Sequence, residues 1–520
     1  MSLEPEERKG GAMVRATLTQ GKGARGWCGI LALALLLICV EGRAWAVMVT
    51  AGGRTLSIGG YLNQGVGIGI YGDEYDTRKG FQIAVAQLLL EVQYPIVRNL
   101  RFFGSAQFNS DWAYPILSDD DDWDAKGFRE SRDRLYVFDE AKDVLKELHL
   151  SFDMGPFFFR VGKQIVIWGE TDGFRLMDQI NPLDQRRGLT DVEFETTILP
   201  IWLLRSEYYP FPNVGLEFVF NPNVEFRGNE APQLGNDKGG IWAPYVTVPL
   251  GGPYPNDFAY LGSLIGGPEE PDEWDSDGLE YAARVKADVL GAIMTLNYFY
   301  GIDNDPVLQP GAPDVEINRF DGRPVLHLRV AEGFYPRFKF VGTTFSRDIT
   351  PLYVSALGGV APTMRAELLY AFNTTFENPM GYFEDHEELR WAVAMDWKTR
   401  IRALNPVSYF SMTAQFYHRH VFEYPEYGLT VGAAPVEDDN YIATLLFYTS
   451  YMNEKLTPVF FWMRDITNIA DLFKVQLTYA PTHQWDFTLG VVALDGSLDG
   501  RGFNVFRHKD QVYFTIGYKF

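Results

Sequence analysis

Cysteine is nearly missing from this chain. Of 520 residues only Cys28 and Cys39 are cysteines, and both lie in an apolar N-terminal stretch. Residues 47–520 therefore cannot form a disulfide, attach c-type haem covalently, bind zinc through thiolates or use a cysteine nucleophile. Basic charge is also short. The 46 Lys and Arg face 68 Asp and Glu, a formal charge of −22, which argues against a nucleic-acid partner. Histidine is sparse and scattered, with seven in all, and no nucleophile elbow or catalytic spacing accompanies them. Finally, no long apolar run follows the N-terminal stretch. The longest uncharged segment, Gly239–Asn256, holds four prolines and four glycines and reads as a loop. The sequence thus predicts no enzyme, no cofactor, no resident metal and no helical membrane span beyond the leader.

The leader has its own pattern. Arg15, Lys22 and Arg25 precede the uncharged run Trp27–Val40, and Ala44-Trp45-Ala46 supplies a small-x-small cleavage site. A basic region, an apolar core and such a site describe a secretory signal peptide over residues 1–46, with translation starting at Met13. The run is shorter than the roughly 20 residues a spanning helix needs. Residues 1–46 carry six basic and four acidic side chains, so residues 47–520 stand at −24.

What is plentiful is aromatic residue, 15% of the chain, and alternation. Phe473, Val475, Leu477 and Tyr479 alternate with Lys474, Gln476 and Thr478. Met364, Ala366, Leu368, Tyr370 and Phe372 bracket Arg365 and Glu367. Leu389, Trp391, Val393, Met395 and Trp397 alternate with Arg390, Ala392, Ala394, Asp396 and Lys398. Period two with aromatics at strand ends predicts an all-β transmembrane antiparallel barrel. Short connections (97–99, 154–155, 209–212, 288–291, 358–362, 403–406, 454–457, 481–484) alternate with longer ones (72–79, 115–143, 169–196, 221–276, 302–335, 374–388, 423–438, 466–470, 495–509). Short periplasmic turns and long extracellular loops are the outer-membrane arrangement. The count is eighteen strands, with sixteen as the fallback because Arg323–Gly333 reads as strand or loop. The last strand puts Val512, Phe514, Ile516, Tyr518 and Phe520 on one face. Phe514, Ile516, Tyr518 and the terminal Phe520 resemble the signal read by the outer-membrane barrel assembly machinery.

The most distinctive segment is His149–Arg187. Leu148, Leu150 and Phe152 alternate into a Met154-Gly155 turn, the chain returns as PFFFRVGKQIVIWG, and ETDGFRLMDQINPLDQRR follows. The hairpin is similar to general porins. The continuation WGETDGFRLMDQINPLD resembles a family of long bacterial outer-membrane proteins of unknown function. The resemblance implies fold and compartment and no substrate. Lys163 falls on the outward set of its strand and breaks the lipid-facing pattern. The loop after it gathers Glu170, Asp172, Asp178 and Asp184 beside Arg175, Arg186 and Arg187. In general porins the third loop narrows the lumen. By that resemblance these seven side chains set a transverse field at a constriction. A salt-bridged loop that merely braces the wall accounts for the same composition, and both roles stay open.

The expected function is a porin-like outer-membrane channel for passive passage of small solutes. The alternative is a structural barrel, a sheath or docking platform for an electron-transfer or export complex. Expected partners are outer-membrane lipid and lipopolysaccharide, the assembly machinery and small solutes, with divalent cations at acidic loops. Asp119–Asp122 with Asp124 offer hard oxygen ligands without EF-hand spacing, and read as a solvated loop. His418 and His420 share a strand face at the external rim, where interfacial packing suits them. Segments 115–143, 221–276, 374–388 and 423–439 carry net −5, −7, −5 and −5, which assigns the acidic charge to the external loops.

Overall fold

Alternating residues become strand, and the strands close on themselves. The computed structural model describes residues 47–51, 54–70, 80–112, 137–138, 141–172, 175–186, 197–230, 247–249, 258–317, 324–353, 359–431, 434–497, 501–507 and 509–520. The predicted signal peptide, the aspartates of 119–124 and Arg187 lie outside the described residues.

Eighteen antiparallel strands make the wall: β1 (Arg54–Gly69), β2 (Val85–Val97), β3 (Leu100–Asp111), β4 (Leu145–Met154), β5 (Phe157–Gln164), β6 (Ile201–Phe211), β7 (Val214–Asn221), β8 (Glu280–Val289), β9 (Ala292–Ile302), β10 (Arg337–Asp348), β11 (Thr363–Glu377), β12 (Phe383–Thr399), β13 (Phe410–Val421), β14 (Asp439–Tyr448), β15 (Leu456–Asp465), β16 (Ala470–Tyr479), β17 (Trp485–Gly496) and β18 (Gln511–Lys519). Each pairs with its sequence neighbours, and β18 returns to β1 in the register Tyr61↔Lys519 to Gly69↔Gln511. Closure removes every edge, so the wall's backbone polar groups are satisfied without water. Phe520 extends the seam: its N–H donates to Gly60 O and its carbonyl accepts from Gly60 N–H, both at 3.0 Å. A Cβ on Gly60 would stand 2.0 Å from Leu89 O, so glycine is what allows this close approach.

The outward rows are apolar and open to the surroundings, among them Val161, Phe218, Leu296, Leu368, Val475, Leu489 and Phe514. Aromatic residues flank them. Tyr209, Phe211, Tyr448, Tyr479 and Trp485 stand at the end with short turns, and Tyr281, Tyr298, Tyr300, Trp391 and Tyr441 toward the other. The two-residue turn Leu290-Gly291, with φ of 54° and 76°, has the double positive φ that lets a tight hairpin follow the sheet twist.

Four features depart from the sequence reading. Residues 374–388 are mostly strand: β11 runs to Glu377 and β12 starts at Phe383. Polar residues that read as loop are bonded across the pair instead, Thr374 Oγ1 to Glu388 Oε2 at 3.0 Å and Thr375 Oγ1 to Asp385 Oδ1 at 2.7 Å. The 466–470 connection is likewise tight, since β16 begins at Ala470. The ambiguous stretch near 323–333 is a strand, Pro324–Phe334, yet it stands outside the wall. It joins a five-stranded sheet with Thr247–Pro249, Phe258–Ile265, Val307–Pro310 and Asp314–Ile317, so eighteen wall strands need no contribution from it. Lys163 does not face lipid. Its side chain is 1% exposed, and Nζ donates to Glu225 Oε2 at 3.0 Å. The preceding Gly162 has φ +131°, and a Cβ there would lie 2.1 Å from Leu148 O.

Candidate functional site

The loop between β5 and β6 leaves the wall and crosses the lumen. Its base is clamped by Asn181, which is fully buried. Asn181 Oδ1 accepts from Val166 N–H at 2.8 Å, and Nδ2 donates to Gln164 O and Leu199 O at 3.1 and 2.9 Å. Asp178 Oδ1 then accepts from the N–H groups of Trp168 and Gly169 at 2.5 and 2.7 Å. An irregular backbone away from water must have such acceptors.

The loop tip is held by β11 and β13, on the far side of the lumen from its roots. Glu367, an inward residue of β11 that is 2% exposed, is the anchor. Its Oε1 accepts from Glu170 N–H, Thr171 N–H and Thr171 Oγ1–H at 2.6, 2.6 and 2.7 Å, and its Oε2 from Met177 N–H at 3.1 Å. Gln415 on β13 exchanges two bonds with Asp172: Oε1 accepts from its N–H at 2.9 Å, and Nε2 donates to its carbonyl at 2.8 Å. Arg365 donates to Glu170 O and pairs with Asp172 Oδ2 at 2.7 Å and Asp396 Oδ2 at 2.6 Å.

Apolar packing fixes one face of this crossing. Val166, Trp168, Leu176, Met177 and Ile180 of the loop are buried against Leu203, Val219, Phe299, Phe338, Phe340 and Leu369 of the inner wall. Gly342 on β10 makes the room: a Cβ there would lie 2.6 Å from Met177 Cε. Above the crossing is a second buried charge cluster. Glu388 on β12, fully buried, pairs with Arg390 and with Arg419 Nε at 2.6 Å. Asp303, just past β9, lies near these groups. Burial and then the charge of Asp305 push its carboxyl up to about 7. The neighbouring Asn304 Nδ2 donates to Gln179 O of the crossing loop at 2.8 Å.

Six of the seven residues singled out from the sequence lie among the described residues and separate into different tasks. Asp172, 62% exposed at its side chain, is the one whose charge stands at the crossing, opposite Arg365. Glu170 contributes its N–H and carbonyl there. Asp178 staples the turn, and Arg175 donates to Asn181 O within the loop. Asp184 and Arg186 stand apart at the loop's return. Arg186 pairs with Asp184 at 2.7 Å and Asp143 at 3.1 Å, and Arg227 also pairs with Asp143. Burial alone would raise the Asp143 carboxyl, but Arg186 and Arg227 hold it below the usual range. Arg365, Glu367, Asp396 and Gln415 complete the crossing and were not expected as site residues. Their signal was a charged or amide side chain pointing inward in the middle of a strand, where burial demands a partner.

Among the described residues no group of three or more His, Cys, Asp and Glu side chains is arranged to hold a metal ion. His418 Nε2 and His420 Nδ1 share Asp439 Oδ1 at 2.7 and 2.9 Å, and the His418 ring stacks on Tyr441 at 4.5 Å.

Residues 81–520 match the family model described as Protein of unknown function (DUF1302). The chain belongs to that family. No curated protein matches this DUF1302 chain. Among solved structures it is similar to OpdK of Pseudomonas aeruginosa with vanillate, at 8% identity and TM-score 0.45, over 89% of this chain and 98% of that one. It is also similar to the outer membrane channel DcaP of Acinetobacter baumannii, at 10% identity and TM-score 0.40, over 92% and 100%. A third is OmpF of Salmonella typhi in complex with daunomycin, at 10% identity and TM-score 0.37, over 91% and 100%.

Proposed function

We propose that this DUF1302 protein is a porin-like channel of the bacterial outer membrane, exported by a signal peptide at residues 1–46. Small solutes pass through it by diffusion, and the loop rooted between β5 and β6 is its constriction. One observation carries the reading: backbone and side-chain groups of Glu170, Thr171, Asp172 and Met177 are held by Glu367, Arg365 and Gln415 across the lumen. A loop that only capped the rim would have no reason to reach inward polar side chains in the middle of two distant strands, β11 and β13. The Asp172–Arg365–Asp396 triplet puts opposite charges side by side at the crossing, which gives a transverse field suited to sorting solutes by charge and size. The outward apolar rows with aromatic flanks support insertion in a membrane.

Planar-bilayer recording of the purified full chain tests this. Discrete conductance steps are expected, and their absence at every voltage would overturn the channel. Fractionation of the source cells tests the compartment, with the protein expected in the outer-membrane fraction.

A further inference from the structure

On the outer face of the wall, above the aromatic row, lies a pocket of about 510 Å³. Its position follows from the register. The outward row Tyr298–Val341–Tyr370 crosses β9, β10 and β11, and below it runs Leu296–Thr343–Leu368. Two residues further along β10 stands Lys339, beside Tyr300. Arg337 follows at the next outward position. The pocket thus opens where aromatic residues give way to polar ones, at the height of lipid headgroups.

Its lining has an unusual charge balance for an acidic protein. Lys339 Nζ sits 4.8 Å over the Phe372 ring, and it makes no ion pair with any described residue. Arg337 likewise has no carboxylate partner within ion-pair distance among the described residues. It stacks 5.3 Å over Tyr300 and donates to two backbone carbonyls, those of Leu279, at 2.8 Å, and Asp277. Many cations elsewhere are matched by carboxylates, among them Arg186, Arg365 and Arg419. Here two stand together with one acid, Asp385, whose Oδ1 already accepts from Thr375. A bulge in β11 between Ala371 and Thr374 widens the site and brings Asn373 into the lining. Phe334 and Phe383, edge to face at 5.1 Å, form an aromatic wall.

We propose that this pocket binds the phosphorylated sugar headgroup of an outer-leaflet glycolipid. Lys339 and Arg337 take the phosphate. Asp385 and Asn373 take sugar hydroxyls, which a glycerophospholipid headgroup of the same charge supplies less fully. The acyl chains lie down the row of Val341, Leu296 and Leu368. The proposal rests on the outer-membrane reading of the barrel.

The full chain in nanodiscs, examined by native mass spectrometry after incubation with purified lipid A, tests it. The wild type is expected to retain lipid A through detergent exchange, and the variant Lys339→Glu with Arg337→Gln to retain at least tenfold less. Arg347→Glu, on the outward row of β10 at its other end, is expected to behave as wild type. Equal retention by the double variant, or by wild type of dephosphorylated lipid A, would overturn the phosphate site. Equal retention of phosphatidylglycerol would overturn the glycolipid assignment. Each variant is checked for heat-modifiable migration as a folded barrel, and Lys339→Ala replaces the double variant if that one does not fold. A chain that inserts and conducts but ignores lipid A sinks the site and leaves the channel standing. A chain that never inserts sinks both.

Discussion

Replacing Glu367 with alanine removes one carboxylate and four acceptor contacts from the crossing loop. Hydrogen bonds to a charged group contribute about 1.5–3 kcal/mol each when taken singly. These four act as a unit, so they do not add, and part of the loss is offset when water reaches the freed N–H groups. A net loss of about 4 kcal/mol is a reasonable working figure, close to the cost of orphaning one member of a buried charged network. At about 1.4 kcal/mol per decade, the population with the loop detached rises about a thousandfold. Single-channel recording reads this directly. The wild type should show steady conductance levels, whereas E367A should show larger mean conductance and frequent transitions. Glu367→Gln keeps an acceptor for Glu170 and Thr171 but turns its amide toward Met177 N–H, so its effect should be smaller, about 1–2 kcal/mol. The wall around position 367 is paired on both sides by β10 and β12, so the barrel itself should survive. If folded E367A gives a conductance histogram superimposable on wild type, Glu367 does not hold the loop and the crossing is not the limiting passage.

Four further outcomes follow from the same geometry. Gly342→Val drives a side chain into Met177 and should displace the loop at about 1–3 kcal/mol, raising conductance as E367A does while the protein still migrates as a folded barrel. Arg365→Gln leaves Asp172 and Asp396 without their cation, so the reversal potential in a KCl gradient should move toward cation selectivity. Asp303 binds its proton more tightly in the folded protein, with a pKa raised to about 7. Its neutral form stabilises the packing below the ordinary carboxylate range, and that stability is lost as pH rises through about 7. Hydrogen exchange at residues 303–305 should therefore accelerate between pH 5.5 and 8.5 beyond its intrinsic rise, and Asp303→Asn should abolish the excess. Phe520→Ala keeps the backbone bonds to Gly60 and removes the ring, so assembly in cells should fall several-fold while refolding from urea proceeds normally.

The wall was legible because its rule is local. A period of two needs only neighbouring residues to be read, and the inward–outward assignment of Arg365, Glu367, Arg390 and Asp396 agrees with their burial in the barrel. The misreadings came where polarity was taken for loop. Residues 374–377 and 383–388 are mostly polar yet stranded: Thr374 and Thr375 bond Glu388 and Asp385 across the β11–β12 pair, while Glu377 and His386 find partners on other segments. Lys163 misled for the opposite reason. Its partner Glu225 is 62 residues away on another loop, and nothing in the alternation of β5 announces it. The same holds for the crossing itself. Thr171 and Glu367 are 196 residues apart, and their meeting is set by barrel closure and loop path rather than by any spacing.

The acidic excess takes on a second meaning in this light. Four segments account for nearly all of the net charge, and the simplest reading spreads that charge over an outer surface. Part of it is instead turned inward. Glu377 and Glu388 are buried, although both fall in a segment that read as an external loop. Loops that fold into a barrel carry irregular backbone, and each irregular residue brings an N–H that no ladder satisfies. A carboxylate is an acceptor with no donor of its own, so it can take several such groups at once. This protein uses the device repeatedly. Asp178 takes Trp168 and Gly169, and Glu367 takes Glu170, Thr171 and Met177. Glu280 takes Ile302, Glu377 takes Leu308, Asp111 takes Ala84 and Asp510 takes Leu494. A basic wall of equal polarity could not do this, because lysine and arginine only donate. Some of the negative charge is therefore a requirement of holding loops inside a barrel, and net charge by itself is a poor guide to which ions such a lumen would pass.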